Sequence, residues 1–132
     1  MTDDRQDDFD RGVKNRRAVL GDAWVDKSLD NATEFNAEFQ HLITRYAWHD
    51  IWGRPGLDNH SRALATLGVL IGKKRMPILR YYARIAMRQG VTEEQLGEVA
   101  LQAIPYTGFP TAVAAAQIMR EVAKEIAAEQ AG

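Results

Sequence analysis

An all-α fold of about six helices is predicted by two features of this 132-residue chain. Apolar residues recur every three or four positions through most of the sequence, and no strand-like alternation of useful length interrupts them. Glycine and proline residues divide these periodic segments at short intervals. The length corresponds to a single domain, 1–132. Its ends, 1–8 and 128–132, are expected to be loose because they hold too few apolar residues to offset the entropy lost on ordering.

The first half of the sequence predicts two helices. One covers about 9–20. The other is an amphipathic helix of about four turns that begins at Thr33, whose hydroxyl suits an N-cap. Its apolar stripe comprises Phe35, Phe39, Leu42, Ile43 and Tyr46. The Gly/Pro-rich stretch 48–57 then predicts a break.

The second half opens with a segment, 63–71, that is apolar nearly all round and therefore predicts the buried central helix. Pro77 suits the first turn of a fourth helix. Gly90 suits the left-handed position that ends it.

A fifth helix is indicated by Thr92 and Gln95, which have the spacing of a capping box. A second Gly/Pro-rich stretch, 105–110, predicts another break. The last helix has an apolar stripe of Ala115, Met119, Val122 and Ile126.

Composition excludes several classes of function. The net charge is −1 and no helix is strongly basic, which argues against a nucleic-acid partner. The longest apolar run, 63–71, is too short to span a bilayer, and the first eight residues are acidic, so we expect a cytoplasmic protein without a membrane partner. The chain has no cysteine, which excludes disulfides and thiol chemistry.

The histidines do not predict a metal site. His41 and His49 are eight residues apart, about 12 Å along a helix, which is too far to share an ion. Glu38 and His41 form one Glu-x-x-His, but di-iron bundles need that motif on two helices. The nucleotide-binding glycine motifs and the nucleophile elbow are absent from the sequence. We therefore expect neither a metal nor an organic cofactor.

Five blocks of the sequence carry a family resemblance: Arg16-Arg-Ala-Val-Leu-Gly-Asp22, Tyr46-Ala-Trp-His-Asp-Ile-Trp-Gly-Arg-Pro-Gly-Leu57, Arg62-Ala-Leu-Ala-Thr-Leu67, Gly90-Val-Thr-Glu-Glu-Gln-Leu-Gly-Glu-Val99 and Tyr106-Thr-Gly-Phe-Pro110. Together they resemble the carboxymuconolactone decarboxylase family over about 12–120. The resemblance implies an alkylhydroperoxidase-like helical fold, a homo-oligomer (trimer or hexamer) and cofactor-free chemistry. Because cysteine is absent, it points to the non-redox branch of that fold.

The reaction that the resemblance implies is the decarboxylation of an unsaturated lactone in aromatic catabolism. Loss of carbon dioxide pushes an electron pair into the lactone carbonyl, and the resulting dienolate must be stabilised and then protonated at carbon. Such a site needs cations for the carboxylates, an apolar wall, hydrogen-bond donors at the enolate oxygen and a proton donor.

Arginine suits the carboxylate grip because its planar fork binds a carboxylate through two hydrogen bonds. The candidates are Arg17, Arg54 and Arg80, which lie in stretches that match the family. Arg80, Arg84 and Arg88 share one helical face, so a solvated stripe or a subunit contact is the alternative interpretation.

Trp48 and Trp52 flank His49 and are candidates for the apolar wall, with core packing as the alternative. His49 is a candidate proton donor because histidine titrates near neutral pH, and Asp50 or another acid would hold its tautomer. The alternative is a solvent-exposed histidine at a helix end.

Tyr82 and Tyr106 are the candidate donors to the enolate oxygen, with simple space filling as the alternative. Tyr82 stands where the family has a histidine, and a phenol with a reference pKa near 10 favours stabilisation over proton relay. Ile78 replaces a family glutamate, and Trp24, included among the substrate-binding candidates, replaces a second histidine.

The leading hypothesis is therefore a cofactor-free carboxy-lyase with Tyr82, His49 and Arg80 in catalytic roles, and its partner is a small carboxylated lactone or an aromatic-derived acid. A shifted substrate, with isomerisation or ring opening of a substituted lactone, is an alternative. Another is a non-catalytic subunit that binds an aromatic acid or serves as a structural component. A thiol-independent peroxidase is a remote third alternative.

Overall fold

The computed structural model describes residues 4–132, and within them it contains seven α-helices and no strand. The all-α prediction is therefore confirmed. The chain divides into two compact units, the first ending at Asp58 and the second running from Asn59 to Gly132. Among the helices of residues 4–132, none is both long and apolar enough to cross a membrane.

The first unit is built on a long N-terminal helix. Its elements are α1 (Asp4–Leu20), α2 (Asp22–Asp30), α3 (Ala37–Ile43) and a π-helical segment (Thr44–Ile51) that continues α3. α1 packs along the π-helical segment. Gly12 permits this approach, because a Cβ at that position would lie 2.1 Å from the backbone oxygen of Thr44.

A buried arginine ties α1 to α3 and the π-helical segment. Arg16 donates from Nη1 to Oε1 of Gln40 at 2.9 Å and to Oγ1 of Thr44 at 3.3 Å. The Thr44 hydroxyl donates in turn to the carbonyl of Gln40 at 2.7 Å. The apolar core of this unit is small and consists of Val19, Val25 and Trp48.

The start of the first unit differs from the prediction. α1 begins at Asp4, so the acidic segment expected to be loose is helical from that residue, while 1–3 lie outside the described residues. Acidic side chains in a first turn interact favourably with the helix dipole, which supports this extension. The additional helix α2 was not predicted; it is nine residues long, and Val25 is its only buried residue.

The helix predicted from Thr33 is also different. Oγ1 of Thr33 accepts from the amide of Asn36 at 3.3 Å and closes a turn, and α3 begins only at Ala37. The break expected at 48–57 begins only after Ile51, because the chain stays helical with π-type hydrogen bonding.

The second unit is a four-helix assembly of α4 (Asn59–Gly72), α5 (Met76–Arg88), α6 (Glu93–Thr107) and α7 (Phe109–Ala131). α5 and α6 each pack against both α4 and α7. The core is made of small and branched apolar side chains, including Leu67, Ile71, Leu79, Ala83, Leu96, Ala115, Met119 and Val122. Its many alanines allow close helix approach.

Local signals in the second unit are confirmed. Pro77 lies in the first turn of α5, and Gly90 follows that helix with a φ of 91°. Oγ1 of Thr92 accepts from the amide of Gln95 at 3.1 Å, and the Gln95 side chain accepts from the amide of Thr92 at 3.0 Å. The predicted capping box is therefore present.

Three expectations for the second unit need correction. α4 buries only one stripe, and Val69 on its outer face is 59% exposed, because α5 and α6 cover one side of the helix. The break predicted at 105–110 is limited to Gly108. α6 packs against α7 and continues through Pro105 to Thr107. α7 runs on to Ala131, so the expected loose end is helical.

Replacement of Thr92 by alanine is expected to lower the free energy of unfolding by about 1 kcal/mol, because it removes the side-chain half of the capping box. Urea unfolding followed by far-UV circular dichroism measures this loss. Thr66→Ala is the matched control, because its hydroxyl only donates to the carbonyl of Arg62 inside α4. An equal loss in both variants would contradict the assigned role of the cap.

Candidate functional site

The π-helical segment brings His49 to α1. Nε2 of His49 lies 3.1 Å from Oδ1 of Asp8 and 3.7 Å from Oδ1 of Asp50, and the imidazole is partly buried. An acidic partner for His49 was predicted, but the nearer one is Asp8. Asp8 lies 41 residues away in a segment expected to be loose, so no local sequence signal could have identified it.

Asp8, His49 and Asp50 also form a group whose ligand atoms lie within 4.8 Å of one another. The sequence did not predict this group, because only the fold of the first unit brings Asp8 to the π-helical segment. Both carboxylates are substantially exposed, and exposed acidic groups of this kind are common without an ion. Imidazole and carboxylate are ordinary ligands for divalent transition metals, so these are the residues that could hold one.

The backbone around His49 is held by two contacts that the sequence did not predict. Nδ2 of Asn15 donates to the carbonyl of Trp48 at 2.9 Å, and the amide of Gly53 donates to the carbonyl of His49 at 3.2 Å. A Cβ on Gly53 would lie 2.4 Å from that carbonyl oxygen. The π-helical turn therefore depends on a glycine and on an amide from α1.

The two predicted tryptophans of the wall do come together. The rings of Trp48 and Trp52 have centroids 5.3 Å apart at an interplanar angle of 33°. Trp48 is buried, whereas Trp52 is partly accessible. Trp48 thus serves the core of the first unit, and Trp52 is the better placed to contact a ligand.

Two of the candidate cations lie in the first unit. Arg17 pairs with Asp26 at 2.7 Å and with Asp22 at 3.4 Å, and the hydrogen bond to Asp26 raises the pKa of its guanidinium. A substrate carboxylate would have to compete with both acids of α2. Trp24, also on α2, is 45% exposed, and Arg54 is exposed in the turn after the π-helical segment.

Arg80 is engaged by α7. Its guanidinium pairs with Glu121 and, at 3.0 Å, with Glu125. Arg84, one turn later, pairs with Glu125 at 3.3 Å and with Glu129 at 2.9 Å, and the hydrogen bond to Glu129 raises the pKa of Arg84. Arg80 and Arg84 are therefore paired with glutamates of α7 within the same chain, an arrangement that neither the carboxylate grip nor the alternative of a solvated stripe or subunit contact included.

Tyr82 and Ile78 share α5 with Arg80. The Tyr82 ring is partly buried and packs edge-on against Tyr81, with centroids 5.5 Å apart and an interplanar angle of 89°. Ile78 is 40% exposed. The positions at which the resemblance implies a glutamate and a histidine are therefore accessible, and here they carry an apolar group and a phenol.

Tyr106 lies elsewhere in the second unit. It is 80% exposed and lines an open groove of about 630 Å³ between α4 and α6. Neither Arg80 nor Tyr82 lines this groove. Its only charged lining residue is Glu98, so the groove lacks a cation for a carboxylate substrate.

Comparison with known proteins identifies decarboxylases. Residues 37–121 match the model of the carboxymuconolactone decarboxylase family. The chain is 38% identical over 126 residues to a 4-carboxymuconolactone decarboxylase of Acinetobacter baylyi, which covers 96% of this chain and 92% of the relative. It is 45% identical over 107 residues to a nitrosuccinic acid decarboxylase of Metarhizium robertsii, which covers 81% of this chain and 75% of the relative. A 4-carboxymuconolactone decarboxylase of Pseudomonas putida is 51% identical over 47 residues, which is 36% of this chain and 98% of that protein.

Proposed function

Since this chain belongs to the carboxymuconolactone decarboxylase family and is a decarboxylase, we propose that its substrate is a small carboxylated compound that holds its own electron sink. The first candidate is an unsaturated lactone of the 4-carboxymuconolactone type, from the breakdown of aromatic compounds. The observation that carries this proposal is the 38% identity to a 4-carboxymuconolactone decarboxylase, because it extends over 96% of the chain.

In the lactone reaction the carbon–carbon bond to the carboxylate breaks and its electron pair moves into the ring carbonyl. The protein has to stabilise the negative oxygen that forms, and a fixed hydrogen-bond donor does so best in the transition state. Tyr82 is our candidate, since it is a phenol at an accessible position of α5 where the family carries a histidine.

Arg80 is the proposed grip for a substrate carboxylate, although Glu121 and Glu125 already share its guanidinium. We expect Arg80→Ala to raise KM about tenfold, a modest effect because the group is half-exposed and must exchange partners. Steady-state kinetics measures this change. Arg84→Ala is the matched control because it breaks an equivalent pair of contacts to α7. Equal effects in the two variants would assign both arginines to structure.

His49 is the proposed proton donor, and Asp8 is proposed to orient its ring. We expect His49→Gln to lower kcat about tenfold, since water can partly replace a general acid. The control is His41→Gln, which changes a second histidine of the first unit that stacks on Phe9. Unchanged kcat in His49→Gln would remove His49 from the mechanism.

The remaining assignments concern substrate binding. We propose Trp52 and Trp48 as the apolar wall, with Arg17, Arg54 and Trp24 as further contacts in the first unit. For Tyr106 the support is weakest, because its groove contains the carboxylate of Glu98 and no cation.

A second candidate substrate is a nitro-substituted dicarboxylic acid. It is favoured by the 45% identity to a nitrosuccinic acid decarboxylase together with the apolar Ile78 and the phenolic Tyr82 on α5. When a carboxylate leaves the carbon that bears a nitro group, the nitro oxygens take up the electron pair as a nitronate. This reaction depends less on a protein acid than enolate formation does, which suits a site without the family's glutamate and histidine.

One experiment tests both candidates. Purified protein is mixed separately with freshly generated 4-carboxymuconolactone and with 2-nitrosuccinate, and carbon dioxide release is followed in each case. For the lactone, loss of the conjugated absorbance gives a second readout. Turnover of one compound selects that substrate class. Failure on both, with a folded protein, would contradict both proposed substrates and turn the search to substituted lactones.

We also propose a cytoplasmic homo-oligomer, a trimer or a hexamer. The lack of cysteine suits a reducing compartment. Support for self-association comes from the large apolar side chains that are exposed in a single copy, among them Phe35, Phe39, Tyr46, Val69, Leu101 and Phe109. Surfaces of this kind mark protein interaction sites. Light scattering coupled to gel filtration measures the molar mass, and a monomer at micromolar concentration would contradict the proposal.

A further inference from the structure

The π-helical segment changes its hydrogen-bond register at its end. The amide of Trp52 donates to the carbonyl of Ala47, five residues earlier, at 2.9 Å. The amide of Gly53 donates instead to the carbonyl of His49, four residues earlier, at 3.2 Å. The carbonyl of Trp48 lies between these two acceptors in the sequence, and neither amide donates to it. The change from five-residue to four-residue hydrogen bonds therefore passes over one carbonyl.

A side chain of α1 binds this carbonyl. Nδ2 of Asn15 donates to the oxygen of Trp48 at 2.9 Å in a part-buried position. A backbone carbonyl that is shielded from water needs a hydrogen-bond partner, so this amide stabilises the register that passes over Trp48. Gly53 leaves room for the contact, since a Cβ at that position would lie 2.8 Å from Nδ2 of Asn15. Asn15 and Gly53 thus act together at the end of the π-helical segment.

The same face of α1 also contacts the His49 ring. Asp8 precedes Asn15 by seven residues of α1, which is two helical turns and about 10 Å along the axis. Oδ1 of Asp8 lies 3.1 Å from Nε2 of His49. α1 therefore holds two consecutive residues of the π-helical segment, the backbone of Trp48 through Asn15 and the imidazole of His49 through Asp8.

The register also decides the direction of His49. If the amide of Gly53 donated to the carbonyl of Trp48 instead, the five-residue pattern would run on by one residue, and the backbone at His49 would turn about the helix axis. Successive residues of an α-helix differ in direction by about 100°, so a fraction of such a turn takes the imidazole away from Asp8. The bond from Asn15 occupies the carbonyl of Trp48 and so disfavours this alternative.

We infer that Asn15 is a positioning residue for His49. Its amide holds the change of register at Trp48, and that register directs the imidazole to Asp8. The inference rests on the proposed role of His49 as proton donor and adds a residue on which that role depends. A catalytic group that is held less precisely loses rate even where substrate binding is kept. Loss of the Asn15 amide is therefore expected to lower kcat and to leave KM nearly unchanged.

Amide hydrogen exchange tests the register without any substrate. In Asn15→Leu, whose side chain has no N–H, we expect the amides of Trp52 and Gly53 to exchange at least about tenfold faster, because their hydrogen bonds define the register. Gln6→Leu is the matched control, since it also removes a side-chain amide of α1, one that donates to Asp10 in the same helix. Unchanged exchange in Asn15→Leu overturns the inference. If that variant does not fold, Asn15→Asp replaces it, because it keeps the size of the side chain and also lacks the N–H.

Kinetics of single and double variants test whether Asn15 acts through His49. We expect kcat of Asn15→Leu to fall about tenfold with KM within about twofold, while Gln6→Leu matches the unaltered protein. Combined with His49→Gln, Asn15→Leu is expected to lower kcat by less than a further twofold or so, because residues that act as a unit are not additive. A purely structural role would lower kcat by the same factor in both backgrounds, and that result overturns the inference.

The outcomes separate this inference from the proposed function. Unchanged kcat in His49→Gln contradicts the proposed proton donor and its positioning together. A loss in His49→Gln without one in Asn15→Leu contradicts the role of Asn15 alone. If neither proposed substrate turns over, the imidazole signals of His49 in a long-range ¹H–¹⁵N correlation decide the question. At a fixed pH they should move in Asn15→Leu toward their positions in Asp8→Asn, and unmoved signals overturn the inference.

Discussion

Replacement of Tyr82 by phenylalanine is expected to lower kcat about hundredfold while leaving the fold intact. The change removes one hydroxyl, and loss of a single fixed donor to a developing oxyanion commonly costs this factor. The packing of the aromatic ring against Tyr81 is retained, since phenylalanine has the same ring. The measurement is kcat for carbon dioxide release from whichever substrate the protein accepts.

Tyr81→Phe is the matched control for this prediction. Tyr81 is adjacent in sequence, lies in the same helix and is similarly part-buried, so its replacement makes the same chemical change next to the proposed site. We expect its kcat to stay within about twofold of the original. Similar losses in the two variants, or no loss in Tyr82→Phe, would reject Tyr82 as the donor.

Gly12→Ala is expected to destabilise the first unit by about 2 kcal/mol or more. The new Cβ would lie 2.1 Å from the backbone oxygen of Thr44, so α1 and the π-helical segment would have to separate. Overpacking against backbone typically costs about 1–3 kcal/mol or somewhat more. The higher helix propensity of alanine returns only about 0.5–1 kcal/mol of this.

Tryptophan fluorescence reports the unfolding of the first unit specifically. The three tryptophans of the chain, Trp24, Trp48 and Trp52, all lie in that unit. The urea midpoint should fall in Gly12→Ala. Gly97→Ala is the control, since its Cβ would meet no atom within 4 Å in α6, and we expect it to be neutral or slightly stabilising. An unchanged midpoint in Gly12→Ala would show that α1 and the π-helical segment pack differently.

Side-chain partnerships across the chain could not be predicted from the sequence. The pairing of His49 with Asp8, the bond from Asn15 to the carbonyl of Trp48, and the engagement of Arg80 by α7 each join residues more than 30 positions apart. Tertiary packing therefore determines which candidate side chains already have a partner within the chain, and sequence spacing does not. Residue type made Arg80 a candidate, but the sequence carried no sign of the glutamates on α7 that pair with it.

The features that could be predicted from residue type and spacing are local. The all-α class, the left-handed end at Gly90 and the capping box of Thr92 and Gln95 depend on contacts within a few residues, so residue type and spacing suffice to predict them. Tertiary structure decided the π-helical segment, the continuation of α6 through Pro105 and the groove beside Glu98. All three depend on which surfaces of the helices meet. At 48–51 and at 105–107 the free energy of packing outweighs the local propensities that predicted a break in the helix.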